Sequence, residues 1–226
     1  MNNQVQKWLK QYNETKQNPV YPTEWCIRTI AGANYPNLKL DKSQYKGKKI
    51  LDISCGDGRN LNLLLDLGFE VYATEISEET IAILSKRFPE VTFSVGFNHK
   101  QPFPDSYFDY ALACGSFYYL EHKTHFNENV IELNRILKHD AIFFANMTTK
   151  ETYILHDAIP LEDGEYLITN DPHDFRNGYR WQTVNSQEHI EQLFSQHLSI
   201  VTSCKLQEDY FGYVISNYIV VCKNIK

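Results

Sequence analysis

The sequence predicts an α/β fold with a doubly wound sheet. Three observations carry that expectation. Short apolar runs that read as buried strands recur at residues 50–53, 69–74, 91–95 and 141–147. Segments with helical apolar spacing lie between them: 61–67, then Ile81, Ile83, Leu84 and Phe88, then 130–138. The first strand meets the first helix through a turn with two glycines, Gly56 and Gly58, which exposes backbone amides and lets a nucleotide-like ligand approach closely.

Composition narrows the class. At 226 residues the chain is long enough for one full domain with a substantial core, or one domain plus a small cap. Its net charge of −6 offers no basic surface for nucleic acid. No apolar run approaches the ~18 residues of a membrane span. The polar start, Met1-Asn2-Asn3-Gln4, carries no secretory signal, so a cytoplasmic protein away from membranes is expected. The cysteines at 26, 55, 114, 204 and 222 lack CxxC spacing and read as reduced thiols, not as a disulfide framework or zinc set.

In chain order, residues 4–18 are polar, with Trp8, Leu9 and Tyr12 at helical spacing, and Pro19 and Pro22 interrupt them. Residues 23–30 read as a helix capped by Thr23 and ended by Gly32 and Pro36. The strand at 50–53 and the glycine turn follow. The second apolar run ends at Glu75, about seventeen residues after Gly58; a carboxylate there can accept both hydroxyls of a ribose. The dinucleotide pattern G-x-G-x-x-G fails, because Leu61 stands where its last glycine belongs and Ser54 where an alternative first one would. A dinucleotide oxidoreductase is therefore disfavoured. Ser77 starts the next helix by capping, and Pro89 closes it. Ser186 caps a helix over 187–196, and 198–206 and 215–222 read as two final antiparallel strands joined by a loop at 207–214.

Asp52-Ile53-Ser54-Cys55-Gly56-Asp57-Gly58 resembles motif I of the class I S-adenosylmethionine (SAM) methyltransferases, usually [DE]-x-G-x-G-x-G. Residues 96–109, reading GFNHKQPFPDSYFD, are similar to the family segment G-D-A-x-x-L-P-F-P-D-x-S-F-D, and residues 132–138 are similar to its E-x-x-R-V-L-K helix. The resemblance implies a Rossmann-like sheet of seven strands, mostly parallel with an antiparallel last strand. It also implies four regions: an N-terminal helical lid at 1–44, a SAM-binding core at 45–147, a substrate cap inserted at 148–185, and the remaining helix and strands at 186–226. The cofactor is SAM and the product S-adenosylhomocysteine. The residues expected to hold it are Asp52, Ser54, Cys55, Gly56, Gly58, Asn60, Glu75, Ile76, Phe97, Asn98 and Cys114, with Arg28 on the SAM carboxylate.

Four positions depart from the family pattern. Ser54 replaces a glycine and should narrow the space near the methionine part of SAM. Phe97 replaces the aspartate that takes the adenine amino group, so either Phe97 stacks on adenine or Asn98 and backbone groups supply the lost hydrogen bond. His139-Asp140 replace a Pro-Gly turn.

Beyond the fourth strand, Ala113-Cys114-Gly115-Ser116 lacks the [DNS]-P-P-[YF] of DNA and protein-amide methyltransferases. Many relatives carry two histidines where Tyr118 and Tyr119 stand. His122 is the expected general base, with His156 and His173 as alternatives, and Tyr118 and Tyr119 position the acceptor. Tyr21, Tyr119, His156, Arg176, Arg180 and Trp181 are expected to bind it. Asp171-Pro172-His173-Asp174 reads as a solvated loop, and no metal is expected. The run Tyr21-Pro22-Thr23-Glu24-Trp25 looks similar to methyltransferases of bacterial surface-polysaccharide pathways, which implies O-methylation of a sugar or sugar derivative. N-methylation of a small amine and a non-catalytic SAM-binding module stay as alternatives, and a homodimer is left open.

Overall fold

The computed structural model describes residues 6–8, 10, 19–32, 34–121 and 123–226. Seven strands form the main sheet: β1 (Lys49–Asp52), β2 (Glu70–Glu75), β3 (Thr92–Val95), β4 (Phe108–Ala113), β6 (Leu137–Thr148), β10 (Leu198–Tyr210) and β11 (Tyr213–Asn224). Four short strands form a second sheet: β5 (Tyr119–Leu120), β7 (Ile159–Pro160), β8 (Glu165–Leu167) and β9 (Arg180–Gln182).

The main sheet runs β10-β11-β6-β4-β1-β2-β3. β1 pairs in parallel with both β2 and β4, β2 with β3, and β4 with β6. β11 is antiparallel to both its neighbours, so the last strand runs against the rest, as expected. The winding reverses between β1 and β4. Their carboxyl ends therefore diverge into a crevice, the place where open α/β sheets bind ligands.

Both faces of the sheet are covered, which is why its inner strands read as continuous apolar runs. Ile50 and Phe144 point into one core, with Leu61, Leu64 and Leu84 from the helices Leu61–Asp66 and Glu78–Arg87 and with Trp25, Cys26 and Ile30 from the N-terminal stretch. Leu51 and Phe143 point into the other, under the helices Phe126–Ile136 and Gln187–Phe194. Neighbouring residues thus serve opposite faces, as the strand period of two requires.

The caps follow the local chemistry. The Ser77 hydroxyl accepts the Thr80 amide, and the Ser186 hydroxyl accepts the His189 amide. Thr23 precedes its helix, but its hydroxyl takes no helix amide. That helix is short: Glu24–Cys26 is α-helical and Ile27–Ala31 continues as a π-turn.

Two further expectations are corrected. Residues 207–214 are not a loop: β10 and β11 stay paired to Tyr210 and Tyr213 around a two-residue turn. Polar edge strands carry no hydropathy signal, because backbone pairing rather than burial holds them. The helix at 130–138 begins earlier, at Phe126, and Leu137 passes straight into β6, where Asp140 adopts a left-handed φ of 61°. Within the insertion, β7, β8 and β9 form an antiparallel sheet that captures β5, in the order β5-β9-β8-β7. Strands of two or three residues are too short to show a period. No described helix is long and apolar enough to cross a membrane.

Candidate active site

The crevice between β1 and β4 is built around Glu75, which ends β2. One carboxylate oxygen accepts the Gly56 amide at 2.8 Å and the other accepts the Ile76 amide at 2.9 Å. Glu75 is buried, and burial pushes its carboxyl up to about 7 against the opposing pull of those two amides. The loop it fastens runs through three left-handed residues, Ser54, Gly56 and Gly58, at φ 53°, 63° and 76°. Glycine enters that region freely. Ser54 does so at a cost of about 1–2 kcal/mol. Its hydroxyl lies 3.4 Å from Oδ1 of Asn98, so the side chain does project into the crevice.

A small pocket of about 90 Å³ brings together Ser54, Glu75, Ile76, Phe97, Asn98, Gly115, Ser116, Tyr119 and Glu121, with Trp8 and Tyr179 closing it. Beneath the loop, Asp52 is buried, its Oδ2 has no partner, and burial drives its carboxyl well above the usual carboxylate range. Cys55 is buried, and its amide donates to the Thr74 carbonyl at 3.0 Å.

Amide side chains position the β4 side. Asn98 donates to the carbonyls of Ser116 (2.8 Å) and Tyr119 (3.2 Å). Asn129 donates to those of Phe117 (3.0 Å) and Tyr119 (3.2 Å), and Asn146 accepts the Gly115 amide at 2.6 Å. Asn98 therefore clamps one loop to another, and its amide nitrogen is spent on that clamp. Phe97 is free to offer its ring to the pocket. Tyr118 and Tyr119 stack at 5.4 Å, and Trp181 from β9 meets both edgewise at 4.8 and 5.0 Å. Burial holds both tyrosine hydroxyls protonated.

Several expected residues serve other contacts. Arg28 is exposed, is paired with Glu24 at 2.7 Å, and borders a different groove beside β10. Asn60 accepts the Thr23 amide at 3.0 Å, and the Cys114 thiol donates to the Thr23 hydroxyl at 3.4 Å, so both hold the N-terminal stretch. A hydrogen bond with the Cys26 thiol brings the Cys114 thiol down to about 7. Tyr21 is 76% exposed, and His156 is exposed. Arg176 is held by Asp171 through two bonds of 3.0 Å, and Arg180 by Glu165 and the Thr124 carbonyl, so both guanidiniums already have protein partners. Among the described residues no cluster of His, Cys, Asp or Glu is arranged for a metal. His122 and part of the expected lid, residues 1–5, 9, 11–18 and 33, lie outside the described residues.

The sequence reading missed Trp8, Tyr179 and Glu121 as members of the pocket. Glu121 is half-buried, burial raises its carboxyl, and among the described residues its side chain has no hydrogen bond or ion pair. Its only signal in the sequence is that it directly follows β5. The donor set fits SAM on two grounds: a strand-tip carboxylate that could accept ribose hydroxyls, and a turn that brings bare backbone close.

Residues 51–145 match the family described as "Methyltransferase domain". A probable S-adenosylmethionine-dependent methyltransferase of Mycolicibacterium smegmatis is 26% identical over 47% of this chain and 40% of its own length. The chain spans half or less of the length of the curated relatives it matches. Among solved structures, a SAM-dependent methyltransferase of Methanosarcina mazei is 19% identical over 84% of this chain and 98% of its own, with a TM-score of 0.67. The 1,6-didemethyltoxoflavin-N1-methyltransferase of Burkholderia thailandensis, solved with 1,6-didemethyltoxoflavin and S-adenosylhomocysteine, is 15% identical over 98% of this chain and 87% of its own, with a TM-score of 0.62. Residues 51–145 thus resemble a SAM-dependent methyltransferase domain, and the solved neighbours share the fold of the chain.

Proposed function

We propose that this class I domain moves a methyl group from SAM to an oxygen of a small polar acceptor, a sugar or sugar derivative of surface-polysaccharide biosynthesis. One observation carries the reading. Tyr119 borders the pocket that contains Glu75 and also pairs with Trp181 of the insertion, so the cofactor side and the insertion meet at one residue. In this reading Glu75 receives the ribose hydroxyls on lone pairs that its two amide bonds leave free. Phe97 lies against the adenine.

Bound SAM supplies an already activated methyl group. The chain's own residues must align the acceptor, exclude water and remove a hydroxyl proton. Tyr118 and Tyr119 have hydroxyls without a protein hydrogen bond among the described residues, and aromatic walls with free hydroxyls suit a polyol. His122 takes the proton, and Glu121 is the second candidate. Arg176 and Arg180 hold the wall of the insertion and do not touch the acceptor.

A second reading, SAM binding without transfer, is favoured by Trp8, which stands in the pocket wall beside Tyr119 and Glu121. A SAM-consumption assay over sugars, sugar nucleotides, amines and RNA separates the readings. Turnover on a sugar that drops roughly 100-fold in His122→Asn supports the first. If only Glu121→Gln is silent, the base is Glu121. Turnover on an amine without base dependence means N-methylation. Calorimetric SAM binding with no acceptor consumed anywhere in the panel establishes the second reading.

A further inference from the structure

Two of the free cysteines, far apart in sequence, meet at the end of the sheet. Cys114 stands just past the carboxyl end of β4 and is partly exposed beside the crevice. Cys26 ends the short helix Glu24–Cys26 and is fully buried. Thr23 and Cys26 are three residues apart, so they share one side of that turn. The Thr23 hydroxyl lies 3.4 Å from the Cys114 sulfur, and the Cys26 thiol makes a hydrogen bond with the same sulfur.

The surroundings favour a thiolate at Cys114. Besides the Cys26 thiol and the Thr23 hydroxyl, the Asn60 side chain bonds to the sulfur, and the charge of Arg59 draws in the same direction. The acids that face it are silent: burial keeps the Asp52 carboxyl and the Tyr118 hydroxyl protonated. The Cys114 thiol is brought down to about 7, so about half of it is ionised at neutral pH. Burial pushes the Cys26 thiol up, so it keeps its proton. A partly exposed thiolate against a protonated thiol is the arrangement of an attacking and a resolving cysteine. Cys55 in the motif loop does not compete, because it is buried and its thiol is pushed up as well.

We propose that Cys114 and Cys26 form a peroxide-responsive disulfide that clasps the N-terminal stretch to the end of β4. The Cys114 thiolate attacks one oxygen of hydrogen peroxide. The O–O bond breaks, the sulfur becomes a sulfenic acid, and the departing hydroxide takes up a proton and leaves as water. The Cys26 sulfur then attacks the Cys114 sulfur. The S–O bond breaks, the S–S bond forms, and the second hydroxide leaves as water with the Cys26 proton. Each sulfur loses one electron, and the peroxide takes up both. A dithiol reductant reverses the clasp. The new bond lies beside the Thr23–Asn60 hydrogen bond, so oxidation makes covalent an attachment that is otherwise held by weak bonds. Neither step involves the methyl acceptor.

The test is hydrogen peroxide added to the reduced whole chain, followed by alkylation and peptide mapping without reductant. A cross-linked peptide joining Cys26 to Cys114 should appear, and a dithiol should remove it. Its rate of formation should fall about tenfold per pH unit below 7, as the thiolate takes up a proton. Limited proteolysis should cut the oxidised chain before β1 more slowly than the reduced one, and the dithiol should restore the cutting. In Cys26→Ala the sulfenic acid has no resolving thiol, and a 1,3-diketone should trap it at Cys114. The mapping is read on the wild type, so it decides the matter even where Cys26→Ala fails to fold. Absence of the cross-link, or a cross-link through Cys55, overturns the proposal. So does a rate that ignores pH, or cutting that oxidation leaves unchanged.

Discussion

The Glu75 carboxylate at the end of β2 accepts the Gly56 amide at 2.8 Å, so the residue proposed to hold the ribose also fixes the glycine loop of the motif. A single side chain thereby couples folding of the motif to its use. Removing it orphans a backbone donor and deletes a ligand acceptor together.

Glu75→Ala should weaken SAM binding at least tenfold, since bonds to a charged group contribute about 1.5–3 kcal/mol each. Calorimetry checks this, and unchanged affinity would assign the ribose to another residue. Glu75→Gln keeps an acceptor and should bind SAM better than Glu75→Ala.

The pH dependence of Glu75 has opposite signs for folding and binding. Its folded value of about 7 lies above the ordinary glutamate value of about 4.3, so the folded state holds a proton that the unfolded state releases. The stability it contributes is complete below about 4.3 and is lost as pH rises to about 7. SAM affinity rises over that range, because the ionised carboxylate is the better acceptor, and should fall about tenfold per pH unit below 7. Thermal melts and calorimetry from pH 4.5 to 8 on wild type and Glu75→Gln isolate both slopes. Identical profiles for the two proteins would refute the assignment.

Two glycines separate backbone strain from clash. Gly47 is left-handed at φ 74° with open space around it, whereas a Cβ on Gly58, at φ 76°, would sit 2.7 Å from the Phe88 ring and 3.0 Å from Leu61. Gly47→Ala should cost about 1 kcal/mol from φ alone. Gly58→Ala should cost about 1–3 kcal/mol more from overpacking, read by urea denaturation.

Asn60 tethers the N-terminal stretch by accepting the Thr23 amide at 3.0 Å. Asn60→Ala should lose about 1 kcal/mol of local stability. Limited proteolysis should then cut the chain before β1 faster, and SAM should protect that stretch in wild type. Equal cleavage with and without SAM would remove the lid from the account.

Asn98→Ala releases the Ser116 carbonyl, while Asn129 still holds that of Tyr119. The β4 loop should loosen, so turnover falls more than SAM affinity does. A larger loss in affinity than in turnover would make Asn98 a direct cofactor contact.

Much of this was legible along the chain, because it depends on residues close in sequence. Ser54, Gly56 and Gly58 lie within one turn, and Glu75 ends the very next strand, so pairing β1 with β2 was enough to bring them together. The alternation of apolar runs and helical spacings fixed the doubly wound class for the same reason: local period and burial on two faces are written residue by residue.

What only the tertiary structure decided concerns residues far apart in sequence and polar in type. Arg28 turned to Glu24 four residues away, since an exposed guanidinium takes the nearest carboxylate, and Arg176 and Arg180 found Asp171 and Glu165 within the insertion. Glu121, Tyr179 and Trp8 reached one pocket only because β5 is captured by β9 and the N-terminal stretch folds back over the crevice. The sequence by itself determined the cofactor loop and the sheet that presents it, through local patterning. The folded chain determined which side chains are spent on one another and which remain free for a ligand, because a polar group's partner is settled by three-dimensional proximity and not by any period along the chain.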